Sequence, residues 1–315
     1  MTSSPTGTSS SPGHLAGDVT GDPAVAIPER RFDWTLALLV VFCLLWSSAF
    51  AVSKIAVAEA PPLLLLATRF LAAGVAMLVP CALFGGLVRL PPRDFLALCL
   101  AGVLNNALYL GLAYCAVVTI SSGFVAVIIS ANPLITALLA GPVLGERLKP
   151  LKVVGLLLGL AGVVIVLRSR LAGGHEDLFG TLLALGGLLA LSCGTVLFKR
   201  LRTPASLFMA SGVQSLAAGL SLMPVALMME PVHAIQITPT LAACFAYLTL
   251  GVSVGGYSLW YAILSRSTAT KASALHFLMP PLGLAFGWLL LGEAVPPLDF
   301  LGIIPIALGI RLVTR

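Results

Sequence analysis

Charge is what this chain has least of. Only 10% of its 315 residues are Asp, Glu, Lys or Arg, and 59% are hydrophobic, whereas soluble domains carry about 25% charged residues. A water-soluble globule is excluded. None of the twelve acidic residues lies in the middle of an apolar run. Asp18, Asp22, Glu29, Asp33, Glu59, Asp94, Glu146, Glu176, Asp177, Glu230, Glu293 and Asp299 all sit in the N-terminal tail, in loops or at helix ends. A carboxylate in mid-membrane is the usual proton relay, and this chain has none to offer. Catalytic patterns are missing too. There is no HExxH zinc motif, and His175-Glu176 has no histidine four residues on. No paired intramembrane aspartates occur, nor a glycine-flanked serine with a histidine partner. Neither an enzyme, a metal nor a cofactor is expected. The six cysteines (Cys43, Cys81, Cys99, Cys115, Cys193, Cys244) all fall in apolar runs, so they read as small packing residues and not as a disulfide framework.

What is present is long apolar sequence. Runs of roughly 20 residues, enough to span a bilayer core, cover 34–53, 62–84, 95–117, 121–144, 151–168, 178–198, 206–229, 240–263, 271–291 and 298–313. All are expected to be helices, because an open strand in lipid leaves backbone groups unpaired. Residues 1–33 are rich in Ser, Thr, Pro and Gly and read as a disordered tail, without the basic and apolar regions of a secretory signal. If the N-terminus is cytoplasmic, fourteen Lys and Arg fall in inside segments and three (Lys54, Arg168, Arg170) outside, with Arg69 inside a helix. Both termini are therefore expected in the cytoplasm. The net charge of +6 has this topological explanation and does not point to nucleic acid.

One stretch occurs twice. Pro133, Gly145-Glu146, Pro150 and Gly155 return as Pro280, Gly292-Glu293, Pro297 and Gly302, each displaced by 147. Ser47 to Lys54 likewise returns as Ser192 to Lys199, and Ala72-Ala73-Gly74 as Ala217-Ala218-Gly219, both displaced by 145. Such self-similarity marks a folding unit used twice. The halves, 34–168 and 178–313, each hold five helices, an odd number, so the second must insert upside down. The expected fold class is an all-α membrane protein of ten transmembrane helices. They form two inverted five-helix repeats around a central cavity, an architecture of secondary transporters with the site near midplane.

With Trp46-Ser47-Ser48-Ala49-Phe50, Arg69-Phe70-Leu71 and the two Pro…Gly-Glu…Pro blocks in place, the chain resembles the drug/metabolite transporter superfamily. The resemblance is to the ten-helix EamA-type branch and, within it, to YddG-like exporters of hydrophobic amino acids. It covers nearly everything after residue 33. It implies a bacterial cytoplasmic-membrane carrier whose basket of helices surrounds a cavity lined largely by helices 1, 3, 4, 6, 8 and 9. Four-helix multidrug relatives use a carboxylate in helix 1, where this chain has Trp46, Ser47 and Ser48. Proton-driven efflux of cationic drugs by that route is disfavoured.

The candidate substrate-binding residues are Trp46, Ser47, Arg69, Asn105, Asn106, Tyr109, Tyr257 and His276. Asn105, Asn106 and Tyr109 lie within four residues on helix 3. Tyr257, Trp260 and Tyr261 stand at i, i+3 and i+4 on helix 8. Together they suggest an aromatic wall with a few amides, suited to neutral or zwitterionic molecules. For Trp260 and Tyr261 an interfacial aromatic belt is the leading alternative. Arg69, seven residues into helix 2, is either an anchor for a carboxylate or phosphate or a side chain snorkelling outward. His276 is either a titratable cavity residue or a partner to a neighbouring helix. Lys54 and Lys199, which end repeat-related helices, read as interfacial anchors, with gate charges as the alternative. Asn132-Pro133 and Pro280-Pro281 are expected to act in gating, since proline loosens a helix. Glu146 and Glu293 are expected to cap the helices that follow them. Gly155/Gly159, Gly251/Gly255 and Gly283/Gly287 offer close helix approach.

The expected function is export of small neutral or zwitterionic metabolites, amino acids foremost, by alternating access and without proton coupling. The alternatives are exchange of anionic metabolites, anchored at Arg69 and Lys271, and multidrug efflux. A small-molecule substrate and the bilayer are the expected partners, and a monomer suffices. Substrate-dependent efflux separates a carrier from a lipid-scrambling or receptor role.

Overall fold

A computed structural model describes residues 34–116, 119–120, 125, 128–171, 177–201, 203–292 and 297–314. Among them there is no strand. Seven helical runs are long and apolar enough to cross a membrane, and Ile128–Leu144, Pro150–Val166 and Phe300–Thr314 are shorter apolar helices. We label the helices α1 (Trp34–Ala56), α2 (Pro62–Leu83), α3 (Pro92–Ala116), α4 (Asn132–Leu144) and α5 (Pro150–Leu171). They continue as α6 (Leu178–Arg200), α7 (Leu207–Met229), α8 (Pro239–Arg266), α9 (Ala269–Leu291) and α10 (Ile303–Thr314).

Local sequence accounts for the helix ends. Pro62 and Pro92 open α2 and α3, where the absent N–H is not missed. Asp177, Ser206, Thr238 and Thr268 open α6, α7, α8 and α9, and each side chain accepts from the backbone N–H three residues on. The repeat-mates Gly145 and Gly292 close α4 and α9 with φ of 70° and 64°, a left-handed turn that an L side chain resists. Pro133 and Pro280 both lie in the first turn of a helical segment. Pro133 follows a turn at Ala131, and Pro280 follows a 3-10 stretch, Ala274–Leu278. Each therefore marks a joint between segments.

Packing is tightest where side chains vanish. A Cβ on Gly155 would stand 2.8 Å from the Gly309 carbonyl, and one on Gly309 would stand 2.6 Å from the Gly155 carbonyl. α5 and α10 thus touch backbone to backbone. α2 and α7 meet the same way, Gly74 against Leu216 and Gly219 against Leu71. Gly283 and the Gly251/Gly255 pair do not draw helices together as expected. Gly283 has open space around it, and Gly251 and Gly255 meet only ordinary contacts. Large apolar residues such as Val75, Val79, Leu220 and Leu227 are exposed on the outside, the surface a bilayer would cover. Cys193 is exposed as well, so it is not the packing residue expected; the other cysteines are buried or half-buried, and all are free thiols.

Two helices widen to π-helical winding midway. α3 is π-helical over Val103–Leu108 and α8 over Tyr247–Gly256. These stretches coincide at the repeat offset. A π-turn widens the helix, turns side chains out of their usual register and is common at functional sites.

Candidate substrate site

The centre of the bundle is an aromatic cluster drawn from α1, α2, α6, α8 and α9. Trp46 meets Tyr257 edge-on with centroids 4.8 Å apart, and Phe42 stacks on Trp260 at 5.6 Å. The His276 ring stands perpendicular to Trp260 at 5.0 Å and lies 6.4 Å from Trp46. Phe70 closes on Tyr257 at 6.0 Å, and Tyr261 joins Tyr257 to Phe198. Such geometries suit the ring quadrupoles.

Polar groups rim this cluster. Ser47 Oγ donates to Met279 Sδ at 3.3 Å, and His276 Nδ1 lies 3.1 Å from the Ser273 carbonyl. The Tyr261 hydroxyl donates to Gln214 Oε1 at 2.8 Å. Ser192 Oγ and Thr136 Oγ1 both donate to Asn132 Oδ1, at 2.8 and 3.0 Å. Other buried groups have no partner among the described residues: both polar atoms of the Asn105 and Asn106 side chains, Asn132 Nδ2, Thr195 Oγ1, the Tyr257 hydroxyl and Arg69 Nε. Leaving such a group unsatisfied costs about 1–3 kcal/mol. Asn105 Oδ1 packs directly on Gly194, where a Cβ would overlap it.

All eight residues expected to bind substrate are buried, each 7% exposed or less. Trp46, Tyr257 and His276 touch one another through their rings. Arg69 is buried and does not snorkel outward. Its guanidinium carbon lies 4.9 Å from the ring of Phe70. The belt alternative for Trp260 and Tyr261 is overturned, because they are 3% and 0% exposed in the core. Helix position placed them near an end; rotation about the axis turned them inward. Gln214, Ser192, Thr195 and Phe42 were not among the candidate site residues. Ser192 carried a signal, since it is the repeat-mate of Ser47.

The cap at Glu146 also differs in its target. Its carboxylate accepts from Ala269 N at 2.6 Å, Thr270 Oγ1 at 2.8 Å and Thr270 N at 3.3 Å. It therefore caps the start of α9 and not α5, the next helix in sequence, because the left-handed turn at Gly145 sends it back across the bundle. Glu293 lies outside the described residues. Two other carboxylates tie segments at the opposite end. Glu230 accepts from Leu63 N and Leu64 N at 2.9 and 2.7 Å, and Glu59 accepts from the Thr238 hydroxyl. The Gln236 N–H also donates to the Glu59 carbonyl at 2.8 Å.

A cavity of about 880 Å³ opens at the Glu146 end. Val143, Leu144 and Glu146 of the α4 terminus, Lys199 and Arg200 of α6, Ser265 and Arg266 of α8, and Lys271 of α9 are among its lining. None of the eight central residues lines it.

Two EamA-like transporter family matches cover residues 33–168 and 178–315. The chain is 27% identical over 296 residues to the "Probable amino-acid metabolite efflux pump" of Escherichia coli K12, covering 90% of this chain and 94% of that one. It is 29% identical over 291 residues to the "Uncharacterized inner membrane transporter YedA" of the same strain, covering 90% and 92%. A solved crystal structure, 20% identical, shares the fold with a TM-score of 0.75 over 89% of this chain and 96% of its own. The helices, the apolar surface and these family matches lead to one conclusion: the chain is a transporter, not an enzyme, and belongs to the EamA-like family of the drug/metabolite transporter superfamily.

Proposed function

We propose that this transporter resides in a bacterial inner membrane and exports small neutral or zwitterionic metabolites, amino acids foremost. The observation that carries this reading is the centre itself, with its ring cluster (Trp46, Tyr257, Trp260, His276) beside two asparagines whose amides have no protein partner. Rings accept an apolar side chain, and free amides suit an ammonium and a carboxylate. The names of the efflux-pump and inner-membrane relatives agree with it.

The transport cycle is read as alternating access by ten spanning helices in two inverted halves, 34–168 and 178–313, bending at Asn132-Pro133 and Pro280-Pro281. In support, Gly145 and Gly292 adopt the same left-handed turn, and the π-helical stretches fall at corresponding positions. The cavity near Glu146 would face the cytoplasm, where the excess of Lys and Arg is expected, with the tie between Glu59 and Thr238 closing the outer face. With no carboxylate in the middle of an apolar run, the substrate gradient would drive export.

Cells overexpressing the protein should survive toxic amino-acid analogues and gain no protection from cationic dyes. The reverse pattern would overturn the reading. Counterflow in proteoliposomes tests the coupling, and uphill uptake driven by a pH gradient alone would refute the uncoupled cycle. Anion exchange is a second reading, favoured by the buried Arg69 with its unpartnered Nε. It requires that Arg69→Gln abolish binding, where the amino-acid reading allows partial retention.

A further inference from the structure

The cavity near Glu146 has two rims, each stapled by one of its charged residues. On one side Glu146 holds the end of α4 to the start of α9 through its bonds to Ala269 and Thr270. On the other, Lys199 Nζ holds the end of α6 to the end of α8, donating to the Leu264 carbonyl at 2.7 Å and the Ser265 carbonyl at 3.3 Å. Both staples line the cavity. No ion pair joins the two across it among the described residues.

We propose that Glu146 and Lys199 are a gate pair, parted here with the mouth open and joined when the two rims close. This rests on the alternating-access reading. Bonding capacity permits the closure. A carboxylate has about four acceptor sites and an ammonium three donors; Glu146 has used three and Lys199 two, so one of each remains. The staples need not break for the pair to form. The other cations on the cavity are poorer candidates. Lys271 sits on α9, the helix that Glu146 already holds, so a pair with it would not join the two rims. Arg200 and Arg266 are exposed, whereas Lys199 is half-buried and also lines the smaller cavity beside Phe198 and Leu207. The lysine stem reaches across while its helix stays in place. An ion pair in a wet mouth is weak, as a gate must be if open and closed states are both to be populated.

The test uses the full-length protein in proteoliposomes, with Ser265→Cys placed at the cavity lining in a Cys193→Ser background. A membrane-impermeant maleimide reads how often the mouth is open, and the parent without Ser265→Cys supplies the blank. Lys199→Gln and Glu146→Gln should each raise the labelling rate at least threefold. The double variant should exceed neither by much, and Lys199→Arg should restore the parent rate. Unchanged labelling in the single variants, or effects that multiply in the double, would overturn the gate. Thermal unfolding of each variant separates a loosened helix cap, which lowers Tm, from a shifted gate, which does not require it to fall. Labelling needs no substrate, so failure of the export screen would refute the amino-acid reading and leave this test standing.

Discussion

Ser192 donates its hydroxyl proton to Asn132 Oδ1 across 2.8 Å, joining α6 to α4. Its repeat-mate Ser47 donates to Met279, the repeat-mate of Asn132, at 3.3 Å, joining α1 to α9. One contact therefore occurs twice with the halves exchanged, a serine on the first helix of each half meeting the joint before the proline of the other. An oxygen acceptor makes the first bond stronger than the second, where thioether sulfur accepts weakly.

The Asn132 bond should be measurable by a double-mutant cycle. Ser192→Ala and Asn132→Ala should each lower stability by about 0.5–1.5 kcal/mol, in the range of hydrogen bonds between membrane helices. Their effects should be non-additive in thermal unfolding in detergent, since both delete the same bond. Ser47→Ala should cost less than Ser192→Ala.

Asn106 offers a sharper separation of stability from function. Its amide is buried and makes no hydrogen bond among the described residues, so Asn106→Leu removes a desolvation penalty without breaking such a bond. Tm should hold or rise, while export of the amino-acid analogue falls tenfold or more. A variant that unfolds earlier yet still transports would mean that the amide is structural.

Gly155 and Gly309 should tolerate no side chain. Gly155→Leu directs its Cβ at a backbone carbonyl 2.8 Å away, which cannot rotate aside, and overpacking of this kind costs about 1–3 kcal/mol or more. Loss of the monodisperse peak in size-exclusion chromatography is the expected result. Gly283→Ala, in open space, should leave the peak unchanged, although the two positions look alike in sequence.

Tyr261→Phe strands Gln214 Oε1 in the core by deleting its donor. The expected loss is about 1–2 kcal/mol, read as a lower Tm. Gln214→Leu combined with Tyr261→Phe should recover part of it, because the stranded acceptor is then gone too.

Much of this protein is local and was therefore legible. Apolar runs long enough for a bilayer are set by the residues within them alone. The two copies of the Pro…Gly-Glu…Pro block lie open to comparison in the chain. Composition alone placed the protein in a membrane, since so few charges cannot cover a globule in water.

What tertiary structure decided depends on how each helix is rotated and what stands beside it. Trp260 and Tyr261 faced inward, although their place near a helix end suited a membrane belt equally well. Gly155 and Gly159 found neighbours close enough to need them, whereas Gly251 and Gly255, a pair alike in sequence, did not. Glu146 was expected to cap the helix after it, yet the turn at Gly145 carried it to α9, 123 residues along the chain. A carboxylate satisfies the nearest free N–H in space, and sequence order does not say which helix supplies it.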